Sequence, residues 1–186
     1  METPDPGAGA SPKSAVAGTP NAEPRPESSV TFLLVQLGMH LARRFGDLLK
    51  PLGLEQRQAG MLVRLAENDG RSQQAIAELI GVNATRMVFL TDELEQLGLV
   101  ERRRNPADRR SHALHLTEAG RAMLARVMEV TAGHEAATSA SLTSAERDQF
   151  LALLRRVAAD QGLAPHALPG APPAHAATSP PGTGPD

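Results

Sequence analysis

The sequence predicts a mainly α-helical domain with one small β-hairpin inserted after the fourth helix. Apolar residues recur at helical intervals from residue 30 onward, and turn-forming residues interrupt them at several points. A short stretch with the alternation typical of strands follows Gly98. The 186 residues include no Cys, which excludes disulfides, thiolate metal sites and thiol redox chemistry.

The two ends of the chain differ from its middle in composition. Residues 1–29 and 164–186 together hold 13 of the 15 prolines, among many Gly, Ala and Ser residues. Such a composition buries too little apolar surface to offset the entropy that is lost on ordering. We therefore expect disordered tails at residues 1–29 and 163–186, and a single domain over residues 30–162.

The formal charge of −2 hides a local excess of arginine. Residues 102–110 contain five arginines and one acid, a pattern that indicates an anion-binding surface of limited extent. The sequence shows no secretory signal and no apolar run of the ~20 residues that a membrane span needs. We expect a cytoplasmic, nucleoid-associated protein.

Two long helices come first in the predicted order. The first spans residues 30–49 and ends near Lys50-Pro51, and the second spans residues 54–67. The turn sequence Asn68-Asp69-Gly70 ends the second helix.

A short helix, a tight turn and a longer helix follow. Ser72 is predicted to cap the short helix, and Gly81 to end it. Asn83 is predicted to cap the longer helix, which ends at Gly98. This is helix-turn-helix spacing, in which the second helix enters a DNA major groove. A helical wheel assigns one face of that helix to the core, formed by Met87, Leu90, Leu94 and Leu97.

Two strands around a turn are predicted next, at residues 99–104 and 111–116. In the second strand Leu114 and Leu116 should face the core and alternate with Ala113 and His115. Two more helices complete the domain, one after Thr117 and one after a capping box of Thr143 and Glu146. The arginine-flanked hairpin makes this a winged helix-turn-helix, whose wing lies against phosphates or in the minor groove.

The segment from Gly98 to Gly120 reads GLVERRRNPADRRSHALHLTEAG. It closely resembles the wing signature of the MarR family of bacterial transcription regulators, which reads GLV-x-R, P-x-D-x-R and L-T-x-x-G. The resemblance extends over residues 30–162 and implies a homodimer joined by long N- and C-terminal dimerisation helices. It also implies binding to a roughly palindromic double-stranded DNA operator, usually as a repressor. A small effector, often an aromatic acid or a phenol, commonly releases the DNA.

The start of the recognition helix supplies the candidate base-reading residues. They are Asn83, Thr85, Arg86, Val88 and Phe89. Arg86 can make a bidentate contact to guanine, worth about 1–3 kcal/mol of discrimination, or equally a phosphate contact. Phe89 stands where the family often has a polar or basic residue. It can contact a thymine methyl group or pack on a neighbouring helix, and packing is the favoured prediction.

Further DNA contacts are expected from the wing and from the preceding helix. The resemblance places Asp108 and Arg110 at a paired Asp and Arg of the family, with Arg109 between them. We expect Asp108 to stabilise the wing by holding an arginine while Arg109 and Arg110 contact DNA. A solvated charged turn is the alternative, which the rigid Pro106 makes less favourable. The roles of residues 102–104 stay open.

The first turn of the short helix supplies a third group of candidates. Ser72, Gln73 and Gln74 would face phosphates there, because helix N-termini favour anions. For Ser72 a role as cap alone is at least as well supported.

No pattern in the sequence supports catalysis, a cofactor or a metal. The histidines lack the spacing of a metal site, and no known catalytic motif is present. The alternative to a DNA-binding regulator is a winged-helix protein-interaction module without specific DNA readout. Phe89 and the acidic residues Asp92, Glu93 and Glu95 on the recognition helix support that alternative.

Overall fold

A computed structural model describes residues 29–104 and 112–168 of the chain. It divides the chain into two units, residues 1–38 and 39–186, and the contacts below lie within the second. The elements are α1 (Val30–Leu49), a 3-10 turn (Lys50–Leu52), α2 (Gln56–Glu67), α3 (Gln73–Ile80), α4 (Ala84–Gln96), β1 (Val100–Arg104), β2 (His112–Leu116), α5 (Glu118–Thr138) and α6 (Ser144–Asp160). The mainly helical fold with one hairpin is therefore confirmed.

Local residues begin α3 and α4 and end α3 as the sequence predicts. The Ser72 hydroxyl accepts a hydrogen bond from the Ala75 N–H at 3.2 Å, and Asn83 Oδ1 accepts one from the Arg86 N–H at 2.9 Å. Gly81 ends α3 in the left-handed conformation, with φ +71°. The turn between the two helices is thus fixed by residues adjacent to it in the sequence.

The core face of α4 differs from the predicted one at two positions. Met87, Leu90 and Leu94 are buried as expected, but Leu97 is 48% exposed. Thr91 is fully buried instead, and its hydroxyl donates a hydrogen bond to the Met87 carbonyl at 2.8 Å. Leu97 is the C-cap residue after the last residue of α4, whereas Thr91 lies inside the helix, one turn after Met87, and is buried despite its polar side chain.

Strand β2 is more buried than the half-exposed strand that the sequence predicts. It pairs with β1 in antiparallel register, from Val100 opposite Leu116 to Arg104 opposite His112. Its other edge bonds the segment before α3, since the Leu114 N–H donates to the Arg71 carbonyl at 3.0 Å. Ala113, predicted on the exposed face, is therefore buried.

The core is formed by α2, α3, α4 and the hairpin, together with Leu49 at the end of α1 and Val127 of α5. Its fully buried residues include Met61, Leu62 and Leu65 of α2 and Ile76 and Ile80 of α3. The core also includes Leu168, a residue that the sequence assigned to the C-terminal tail. The domain limits at residues 30 and 162 stay predictions. The packing of Leu168 shows that the core includes a residue beyond position 162.

Helix α6 is well formed but packs little against the described chain. Its capping box is confirmed, and the hydrogen bond from the Thr143 backbone N–H lowers the pKa of Glu146. None of its 17 residues is buried. Along it Phe150, Leu151, Leu153 and Val157 remain 42–45% exposed. No described helix is long and apolar enough to cross a membrane.

Gly120 is required because the first turn of α5 lies against the backbone of Leu99, between α4 and β1. The Leu99 carbonyl accepts the Thr117 N–H at 3.1 Å, and a methyl group on Gly120 would overlap that carbonyl oxygen. The glycine of the L-T-x-x-G signature therefore has a steric cause.

We expect Gly120→Ala to lower the free energy of unfolding by about 1–3 kcal/mol, because the backbone must shift to admit a methyl group. Gly133 is the matched control, because it lies in the same helix with no atom near its missing side chain. Gly133→Ala should stabilise by up to about 1 kcal/mol through helix propensity. Urea unfolding measures both, and a stabilising Gly120→Ala would contradict the steric argument.

Candidate nucleic-acid interface

The start of α4 presents an exposed face. Asn83, Thr85, Arg86, Val88 and Phe89 are all exposed, opposite the buried side of the helix. Phe89 is 63% exposed, so the prediction that it packs on a neighbouring helix is wrong. Since Met87 and Leu90 turn toward the core, the residues between them must point outward.

A groove of about 730 Å³ lies between α4, the start of α3 and the hairpin. Its lining includes Ser72, Gln73 and Gln74 of α3, Ala84 and Val88 of α4, and His112 of β2. The groove thus brings the predicted residues at the start of α3 beside Val88 of α4. Ser72 is engaged as a cap, Gln73 bonds an arginine of the hairpin, and Gln74 is exposed beside Glu78.

Arg102 connects three elements, and one of its partners is Gln73 of this groove. Its Nη2 lies 2.6 Å from Asp92 Oδ1, Nη1 forms an ion pair with Glu95, and Nε donates to Gln73 Oε1 at 3.1 Å. Its backbone N–H also donates to Glu95 at 2.9 Å. The side chain is only 22% exposed. One arginine of β1 therefore holds α4 and α3 in position.

The third acidic residue of α4 has its own partners on α2. Glu93 accepts hydrogen bonds from Arg57 Nη2 at 3.1 Å and from Gln58 Nε2 at 3.0 Å. Asp92, Glu93 and Glu95 are therefore all engaged within the chain, while 31–45% of each side chain stays exposed. Sequence reasoning did not assign Arg102 this role. The available signal was two acids three residues apart, followed by an arginine early in the next strand.

The loop of the wing lies outside the described residues, and with it Asp108, Arg109 and Arg110. What the structure gives is the base of that loop. The register pairs Arg104 with His112, and both are exposed. His115 is held in the hairpin, with Nδ1 3.2 Å from Asp69 Oδ1. Within residues 29–104 and 112–168, no cluster of three His, Asp or Glu residues could hold a metal ion.

Comparison with known proteins gives the family. A sequence model described as the MarR family matches residues 52–111. The chain is similar to the transcriptional repressor CouR, solved on a 23-mer DNA duplex, with 34% identity and a TM-score of 0.66. That similarity covers 71% of this chain and 94% of CouR.

The chain belongs to the MarR family. This membership confirms the winged helix-turn-helix, and it places the chain in a family of transcriptional regulators rather than of enzymes. CouR from Rhodococcus jostii, solved with p-coumaroyl-CoA, is 27% identical over 73% of this chain and 96% of that protein, with a TM-score of 0.64.

Curated relatives of this MarR-family chain are named as regulators. One is a putative transcriptional regulatory protein for the hcr operon of Thauera aromatica, 38% identical over 53% of this chain. The match spans only 59% of that relative's length. Another is an HTH-type transcriptional repressor of Mycobacterium tuberculosis, 28% identical over 72% of this chain and 96% of the repressor.

We expect Arg102→Ala to lower the free energy of unfolding by about 1–3 kcal/mol. The substitution removes charge-assisted hydrogen bonds and leaves the carboxylates of Asp92 and Glu95 without their cationic partner. Arg103→Ala, on the exposed neighbour, should change it by less than about 0.5 kcal/mol. Adding Asp92→Asn and Glu95→Gln to Arg102→Ala should restore part of the loss. Equal losses for both arginines in urea unfolding would contradict the assigned role.

Proposed function

We propose that this protein binds double-stranded DNA as a homodimer, inserts the start of α4 into the major groove, and represses transcription there. The observation that carries the proposal is the separation of charge along α4. Residues 84–91 contain Arg86 and no acid, while the three acids farther along are engaged by Arg102, Arg57 and Gln58. The half of α4 that would meet DNA therefore offers no free carboxylate to repel phosphates.

Each exposed residue of α4 has a role that its chemistry supports. Arg86 donates to guanine or to a phosphate, and Asn83 and Thr85 reach neighbouring positions. Exposed Phe89 provides apolar contact for a thymine methyl group. At the start of α3, Ser72, Gln73 and Gln74 would line the phosphate backbone, where free backbone N–H groups favour anions.

The wing completes the proposed interface. Its residues come from the family signature, with Arg109 and Arg110 on DNA and Asp108 holding the turn. The described part supports this assignment, because Arg102 anchors β1 to α4 at the base of the loop. Because the hairpin is attached to the recognition helix, the wing would reach DNA when that helix binds the major groove.

The alternative of a protein-interaction module loses its electrostatic support. That alternative needs the acids of α4 to be available to a partner. Instead, Asp92 and Glu95 pair with Arg102, and Glu93 pairs with Arg57. Only the exposure of Phe89 remains in its favour, and the DNA reading accounts for that exposure as well.

A second copy of the chain is the proposed partner of α6. Its exposed apolar face is larger than isolated surface residues explain, and a symmetric operator requires a two-fold protein. Helix α1 likewise has exposed apolar side chains, at Phe32, Leu33 and Val35. The dimer would bury both surfaces.

A phenolic or aromatic acid derivative is the proposed effector. The related CouR has been solved with p-coumaroyl-CoA, which is a phenolic thioester, and also with DNA. This compound class is the first to test for release of DNA by the present protein.

We expect selective, salt-dependent binding in fluorescence anisotropy with the duplex upstream of the protein's own gene. Affinity should exceed that for shuffled duplex by ~10³. For each tenfold rise in salt concentration, it should fall by ~0.9 log units per phosphate contact. Arg86→Ala should cost about 1–3 kcal/mol of that preference, and Arg109→Ala with Arg110→Ala should weaken both duplexes.

Lys50→Ala is the charge-matched control, because Lys50 is 77% exposed and pairs with Asp47 away from this interface. It should leave both affinities unchanged. A genome-wide pull-down follows if the first duplex shows no preference. An empty pull-down would exclude the proposed function.

We expect Leu151→Glu to dissociate the dimer, because a carboxylate buried in an apolar interface has no partner there. Sedimentation should show a dimer for the unaltered chain and a monomer for the variant, with weaker operator binding. Gln149→Glu adds the same charge to the same helix and should leave the dimer intact. A monomeric unaltered chain, or a dimeric Leu151→Glu chain, would contradict the assignment of α6.

A further inference from the structure

The segment after α6 is ordered by contacts with α2 and α3. Gly162, at φ +70°, reverses the chain at the end of α6, and its N–H donates to the Ala159 carbonyl at 2.9 Å. A turn follows, in which the Ala167 N–H donates to Ala164 at 3.1 Å. Residues 163–168, here named the C-terminal clamp, thereby leave α6 and reach α2 and α3.

Leu168 anchors the clamp in the core. It is 8% exposed, and its N–H donates to the Ile80 carbonyl at 3.1 Å. Ile80 is the last residue of α3, so this bond satisfies a carbonyl that has no partner inside the helix. A side contact comes from α2, where Arg64 Nη1 lies 3.5 Å from His166 Nδ1.

Gly60 of α2 supplies the space for this anchor. A methyl group on Gly60 would lie 2.6 Å from Leu168 Cδ2, and no atom outside Leu168 lies within 4 Å of it. Glycine inside a helix costs up to about 1 kcal/mol relative to alanine. Here the cost is offset by the Leu168 side chain that packs on the open helix surface.

The anchor lies at the corner of the helix-turn-helix. Ile80 is followed by Gly81 and Val82, and Asn83 then caps α4. The clamp therefore joins α6, the proposed dimerisation helix, to the turn that sets the direction of the recognition helix. Burial of Leu168 and the bond to Ile80 both resist movement of that turn.

We propose that the C-terminal clamp positions the helix-turn-helix corner for DNA reading, with Leu168 as the positioning residue. The part of this proposal that concerns DNA rests on the proposed function. Release of Leu168 would leave the end of α3 free to move against α2. The direction of α4 would then vary, and base contacts need a fixed direction more than phosphate contacts do.

The docking of the clamp can be tested without DNA. Gly60→Ala should raise Tm by about 2–4 °C in a chain that ends at Gly162, through helix propensity alone. In the full chain the same substitution must displace Leu168 and should not raise Tm. An equal rise in both chains would overturn the docking, and a reversal of sign between them supports it.

The positioning of the corner has its own readouts. Hydrogen exchange of the Gly81 and Val82 amides, which bond Glu78 and Ala77, should accelerate in Leu168→Ala more than exchange in α2. Operator affinity should fall about five- to tenfold, with a smaller change on shuffled duplex, at a temperature where the variant is folded. Leu168→Met should restore both.

Leu163→Ala is the matched control, because Leu163 belongs to the clamp but is 50% exposed. It should behave as the unaltered chain, as should a chain that ends at Leu168. Equal exchange in Leu168→Ala and Leu163→Ala would overturn the positioning role, whether or not the protein binds DNA. Loss of selective binding in the unaltered chain itself would instead refute the proposed function.

Discussion

The arrangement of the candidate DNA-binding surface depends on the ion-pair cluster around Arg102. This side chain meets Asp92 and Glu95 on α4 and Gln73 on α3 while its own backbone belongs to β1. Removal of one member of a partly buried cluster leaves the others without compensation. The cluster therefore fixes the relative positions of the recognition helix, the helix before it and the hairpin.

The same cluster sets the electrostatics of α4. In isolation, three acids on a thirteen-residue helix would oppose its approach to a polyanion. All three acids lie in the second half of the helix, where partners on α2 and β1 pair with them. Arg86 lies in the first half. The distribution of charge, rather than the net charge of −2, accordingly supports DNA binding.

Two glycines show how closely the helices of this domain approach neighbouring segments, at Gly120 a backbone carbonyl and at Gly60 the Leu168 side chain. Gly120 lets α5 start against the Leu99 carbonyl, and Gly60 lets Leu168 lie on α2. At each glycine, the space that a side chain would fill is occupied by a residue that is distant in sequence. Helix α6 contrasts with these contacts, because it has no buried residue and leaves its apolar face exposed.

The sequence by itself determined the local features of this protein. Caps at Ser72, Asn83 and Thr143 bond backbone groups only three residues away, so composition and spacing suffice to locate the helices. The arginine-rich hairpin and its signature likewise lie within one continuous segment, and they gave the family and the candidate site together.

Only the tertiary structure decided which side chains are engaged and which are free. The role of Arg102, the neutralised acids of α4 and the exposure of Phe89 depend on elements brought together by folding. Leu168 lies in a segment whose composition indicates disorder, yet it is buried because Gly60 leaves space on α2. Such long-range complementarity has no local periodicity, and sequence patterns report only neighbours along the chain.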